Sequence, residues 1–199
     1  MRSQSIDDYL GRLGAGHPTP AGAAVAALSL AQAAALLAMV ARIRAVDGVP
    51  ERAEELRETA LRLVEADGDL VDQVAAAYAL PRSTDDERAR RAAAIADGLL
   101  AAARPPAELI AVGAQLVELC ERMAGVASGA IVADVAAAAD AAAAGIAISR
   151  TNVEADIAPR RNSADAGQLL AALYGVDDLL RRAARVREEI RRTLTPSDQ

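Results

Sequence analysis

Lysine, tryptophan and phenylalanine are missing from this sequence, and cysteine and histidine occur once each. Each absence removes chemistry. Without Lys there is no Schiff-base nucleophile and no P-loop lysine. A lone Cys120 permits no intrachain disulfide, and its neighbours Leu116, Leu119 and Met123 mark it as a core thiol. A lone His17, in a Pro-flanked loop, cannot supply the paired Glu-x-x-His ligands of a ferritin-like metal site, and it fits Ser-His-Asp or Cys-His catalysis poorly. Aromatics make up 2% of the chain, and Tyr9, Tyr78 and Tyr174 are too scattered for a cofactor box. A formal charge of −6 opposes binding to nucleic acid, which needs a basic surface. No segment alternates as a half-buried strand does, and no repeat or linker divides the chain. The polar, acidic start is unlike a signal peptide.

What is present is alanine, about a quarter of all residues, within 53% hydrophobic and 25% charged residues. Ala is the best helix former, and small side chains let helices approach closely while burying little area per contact. The composition predicts an all-α, up-and-down bundle of long antiparallel helices with an alanine-rich core, as one domain over residues 1–199. The run from Ala23 to Ala41 is long enough to span a membrane. Its Ala content, Ser29, Gln32 and missing aromatic belt instead predict a buried central helix in a cytoplasmic protein with no membrane contact.

Local signals place the helices. Ser5 to Asp8 and Thr84 to Glu87 read as capping boxes. Gly14 to Pro20 must be a loop, and a long apolar helix follows to about Val46. Pro50 sits at a helix start; that helix ends at Pro81. Helices are further expected to Ala103, from Pro105-Pro106 to Gly125, and from about Ala130 to Ile157. A last one, from a Ser163 cap to Leu194, carries an Arg-rich face from Arg181 to Arg192 that reads as solvated.

Three features stand out as candidate chemistry. Val64, Val71, Val74 and Tyr78 form an apolar stripe, and Asp67 lies inside it, while Glu65, Asp69 and Asp72 form a separate acidic face. An inward Asp67 is either paired with an Arg from another helix, the commoner outcome, or a carboxyl of raised pKa suited to general acid/base work. Asp134 lies in an almost uncharged helix and shares a face with Asn152, about 27 Å further along, so the two cannot grip one small group in one subunit. Helix capping is its plain alternative. Last, Pro18 to Val25 brings a rigid turn into small residues at a helix start, where Pro20, Gly22, Ala23 and Ala24 would offer free N–H groups and room for a ligand. A tight helix entry explains that stretch equally well. Tyr78 shares the Asp67 face and could stack on a ligand.

These features follow the order and spacing of a known family. The chain resembles the formiminotetrahydrofolate cyclodeaminase / methenyltetrahydrofolate cyclohydrolase family over nearly its whole length. The Pro-x-Pro-Gly-Gly-Gly signature corresponds to Pro18-Thr19-Pro20-Ala21-Gly22-Ala23, followed by Ala24-Val25-Ala26-Ala27-Leu28. Glu65-Ala66-Asp67, then Leu80-Pro81, matches a second motif; Ala133-Asp134 matches a Ser-Asp; Asn152-Val153-Glu154-Ala155-Asp156 matches an Asn-Val-x-x-Asn. Ala21, Ala23, Ala133 and Asp156 depart from the motifs. The resemblance implies a homodimeric one-carbon folate enzyme acting at the N5–N10 bridge. A tetrahydrofolate derivative is its substrate and no cofactor is permanently bound. It also implies Asp67 as catalytic acid/base, with Asp134, Asn152 and Asp156 among the substrate contacts, Asp134 or Asp156 meeting the pterin edge. The motif changes leave two other readings: a relative acting on a different imine or amidine, and a non-catalytic helical dimer.

Overall fold

The computed structural model describes residues 4–194. Among these described residues, eight α-helices run in the order α1 (Ile6–Leu13), α2 (Gly22–Ile43), α3 (Val49–Tyr78), α4 (Asp85–Ala102), α5 (Arg104–Ala124), α6 (Val132–Ile157), α7 (Ala164–Leu173) and α8 (Val176–Leu194). Short 3₁₀ turns at Gly129–Ile131 and Ala158–Arg160 flank α6. No strand occurs among the described residues. Both capping boxes form: Ser5 and Asp8 close the start of α1, and Thr84 and Glu87 that of α4.

The core is built around α2, which packs on α3, α5 and α6. Its buried face is mostly alanine, with Leu30, Leu37 and Val40 fully enclosed. Such a face permits very close approach. A β-carbon added at Gly145 of α6 would lie 2.6 Å from Leu30 Cγ and 3.0 Å from the Ala26 carbonyl oxygen. One at Gly113 of α5 would meet Ile146 Cγ1 at 2.3 Å. The glycines are therefore fixed by sterics at the three-helix contact. By length and composition alone, α2 and the Gly129–Arg160 region could each cross a membrane; most of α2 is instead spent on this core.

Two expectations are corrected. The helix expected from Ser163 to Leu194 is two helices, broken at Tyr174-Gly175, where Gly175 takes φ 83°. That left-handed angle is cheap only for glycine and turns the chain between α7 and α8. The Arg-rich face of α8 is also not wholly solvated. Arg182 donates to both carboxylate oxygens of Glu121 on α5, at 2.8 and 2.6 Å, and Arg187 reaches Asp140 on α6 at 2.9 Å. Arg150 of α6 pairs with Asp177 on α8 at 2.6 Å. These charged links clamp α8 across the bundle.

Candidate active site

The α2–α3 connection is short, so the two helices run antiparallel and the start of α2 comes level with the middle of α3. Helix α6 also runs antiparallel to α2: Gly145 faces Ala26 and Leu30, and Asn152, two turns later, faces Gly22. The first turn of α2 therefore lies between α3 and α6.

On the α3 side is a cleft of about 220 Å³, lined by Pro20, Ala21 and Ala24, by Val64, Asp67 and Gly68, and by the acidic Glu65, Asp69 and Asp72, with Arg12 and Gln4 at its edge. Asp67 is 6% exposed. Of the apolar stripe, Val64 and Val74 are buried with it on α3, while Val71 is half-buried and Tyr78 is exposed. No Arg and no hydrogen-bond donor reaches its carboxylate among the described residues, so the ion-pair alternative is not realised. Burial alone pushes its pKa up to about 6.

On the α6 side, Asn152 lies against Gly22. A β-carbon there would be 3.2 Å from Asn152 Oδ1 and 3.4 Å from Nδ2. The Asn152 Nδ2 is buried and has no hydrogen-bond partner. Asp156 follows one turn later on the same face, and its carboxyl is also raised to about 6, first by burial and then by the negative charge of Asp67. The charge of Asp67 thus reaches Asp156, 89 residues away in sequence, across the start of α2.

The start of α2 is itself open. Its N-cap, Ala21, has no side-chain acceptor, and among the described residues the N–H groups of Gly22 and Ala23 make no hydrogen bond. Pro20, Gly22, Ala23 and Ala24 thus make up the start of α2, where Pro20 and Ala24 line the cleft with Asp67 and Gly22 faces Asn152 on the α6 side, with Asp156 one helical turn beyond. The structure does not bring the remaining candidates there. Tyr78 is three turns beyond Asp67, about 16 Å along α3; it is 52% exposed, with the Arg91 guanidinium 5.4 Å from its ring centre. Asp134 is in the first turn of α6, about 33 Å along that helix from Asp156. Only a second copy of the chain could carry it to this cleft.

Elsewhere, Cys120 is buried and its thiol is pushed up to about 12 by burial, as a core thiol should be. His17 is exposed. No group of His, Cys, Asp and Glu is placed to hold a metal ion among the described residues. The arrangement offers proton transfer by carboxyls of raised pKa, an acidic cleft that favours cationic character, and open N–H donors for a ligand oxygen.

Comparison with known proteins agrees with the motifs. Residues 5–173 match the formiminotransferase-cyclodeaminase family. Methenyltetrahydrofolate cyclohydrolase of Methylorubrum extorquens is 30% identical over 203 residues, covering 96% of each chain. The crystal structure of formiminotetrahydrofolate cyclodeaminase from Thermotoga maritima superposes with a TM-score of 0.82 over 98% of this chain and 99% of the other, at 22% identity, and so shares the fold. The chain belongs to the formiminotransferase-cyclodeaminase family of one-carbon folate cyclodeaminases and cyclohydrolases.

Proposed function

We propose that the protein hydrolyses 5,10-methenyl-tetrahydrofolate, with Asp67 as the general base. The observation that carries this reading is a buried, unpaired carboxyl with its pKa near 6, lining a cleft at the open start of α2. The 30% identity to a cyclohydrolase favours hydrolysis over cyclodeamination.

The methenyl bridge is a cation, and a cleft lined by Glu65, Asp67, Asp69 and Asp72 attracts it. The ionised Asp67 carboxylate takes a proton from water as the oxygen bonds to the bridge carbon, which neutralises the amidinium. The carbon–N5 bond then breaks, N5 gains a proton, and the hydroxyl loses one to become the formyl carbonyl on N10. A carboxyl that titrates near 6 is ionised enough at neutral pH to start the cycle and acidic enough to return a proton. The unpartnered Asn152 amide and the free N–H groups of Gly22 and Ala23 supply donors for polar edges of the substrate. In this reading the whole chain is one domain working as a cytoplasmic homodimer. No cofactor stays bound, and neither nucleic acid nor membrane is engaged.

The methenyl absorbance band tests it. Purified protein added to 5,10-methenyl-tetrahydrofolate should abolish the band far faster than buffer does. Appearance of the band from the 5-formimino compound, without hydrolysis of the methenyl compound, would identify a cyclodeaminase instead. No change with either would point to a different imine or amidine.

A further inference from the structure

We propose that Asp156 is a second catalytic carboxylate, so that this chain divides between two acids the proton transfers that one acid would otherwise make in turn. The inference rests on the hydrolytic reading above.

The geometry is specific. Asn152 packs its amide on Gly22 at the first turn of α2, which fixes the rotation of α6 about its own axis. Asp156, four residues on, shares that face and lies about 6 Å further along, just past the open end of α2. Asp67 reaches the same end from α3, in a cleft it shares with Pro20 and Ala21. The charge of Asp67 bears on Asp156; Asp67 is buried and Asp156 half-buried. The other charges nearby are accounted for. Arg12 lines the cleft and donates to Gln4 Oε1 at 2.9 Å. Glu65, Asp69 and Asp72 line its α3 wall. Beyond Asp156, Arg160 is held by Asp97 of α4 at 2.5 Å. No cation pairs with Asp156 among the described residues, so it is not there to hold the bundle together.

The chemistry uses both acids in the step that breaks the bridge. Asp67 takes the first proton of water as the carbon–oxygen bond forms. When the carbon–N5 bond breaks, Asp67 returns that proton to N5, and the Asp156 carboxylate accepts the second proton as the hydroxyl becomes a carbonyl. Asp156, only partly covered, then releases it to solvent. One water is consumed and one proton is released per turnover, and no other reactant is needed. Both acids must be ionised when water attacks.

The test compares wild type, D156N and D156E. Carboxyl carbons of ¹³C-aspartate-labelled protein are titrated, and log(kcat/KM) for loss of the methenyl band is followed from pH 4.5 to 8. In wild type, Asp67 and Asp156 should titrate as a linked pair, and the acidic limb of the profile should approach a slope of two. In D156N the slope should fall to one and kcat should drop by about 10²-fold with KM little changed, and in D67N, titrated alongside, the Asp156 titration should move to lower pH. D156E should restore part of the rate and the steeper limb, which separates loss of the carboxyl from damage to the fold. An Asp156 titration unmoved by D67N, or a D156N enzyme with wild-type kcat and slope, would overturn the proposal. If wild type hydrolyses no methenyl-tetrahydrofolate, the functional reading fails by itself, and the carboxyl titration still decides whether the two acids form a pair.

Discussion

Replacing Asp67 by Asn should make the protein more stable at neutral pH. A carboxyl that titrates at about 6 in the folded chain, against an ordinary 3.8, carries an ionisation penalty of about 3 kcal/mol above pH 6. The sign follows from proton binding. Between about pH 4 and pH 6 the folded chain holds a proton that the unfolded chain has lost. The contribution of Asp67 is therefore fully favourable below pH 4, declines as pH rises to about 6, and is flat beyond. Asn removes the penalty but brings an amide that has no ready partner in this 6%-exposed position, a cost of about 1 kcal/mol or more. The net gain at pH 7.5 should be about 1–2 kcal/mol, worth about 2–8 °C in Tm for a chain of this size. Urea unfolding of D67N and wild type at pH 7.5 and pH 4.5 reads it directly, with the gain small or reversed at pH 4.5. A D67N protein that is less stable than wild type at pH 7.5, or a difference that does not change with pH, would refute the buried, unpaired carboxyl on which the account depends.

Other outcomes follow from the packing. G145A places a β-carbon 2.6 Å from Leu30 Cγ and against the Ala26 backbone, so urea unfolding should show a loss of about 1–3 kcal/mol. G22A puts a methyl 3.2 Å from Asn152 Oδ1, so the amide must shift, and steady-state assays should show KM rising several-fold with the fold intact by circular dichroism. R182A removes the two-pronged link to Glu121; the half-exposed pair should be worth about 1 kcal/mol or less, and the loss should shrink in high salt.

Much of this architecture was legible in the sequence because local chemistry dictates it. The capping boxes at Ser5 and Thr84, the prolines after α3 and at the start of α5, and the alanine content mark the helices without reference to their neighbours. The break at Gly175 is hard to read from sequence because the apolar spacing of α8 continues back through α7; an isolated Gly beside Tyr174 is its only local signal. The inward face of Asp67 was readable from helical spacing, but its lack of a partner was not, since any of several Arg residues could have reached it. Likewise, Asp156 could be singled out from its motif, but its interaction with Asp67 joins helices far apart in the chain and depends on how α3 and α6 dock on α2. The links from α8 to Glu121 and Asp140 were hidden for the same reason: an Arg-rich helix face looks alike whether it meets water or carboxylates.

In the proposed reaction Asp67 takes the proton from the water that attacks the methenyl bridge. That role is tested most directly by comparing wild type and D67N in the methenyl absorbance assay at pH 7.5, with both proteins confirmed folded. Wild type should remove the band rapidly, with a kcat at least about 10²-fold lower for D67N. Equal rates for the two proteins would contradict it.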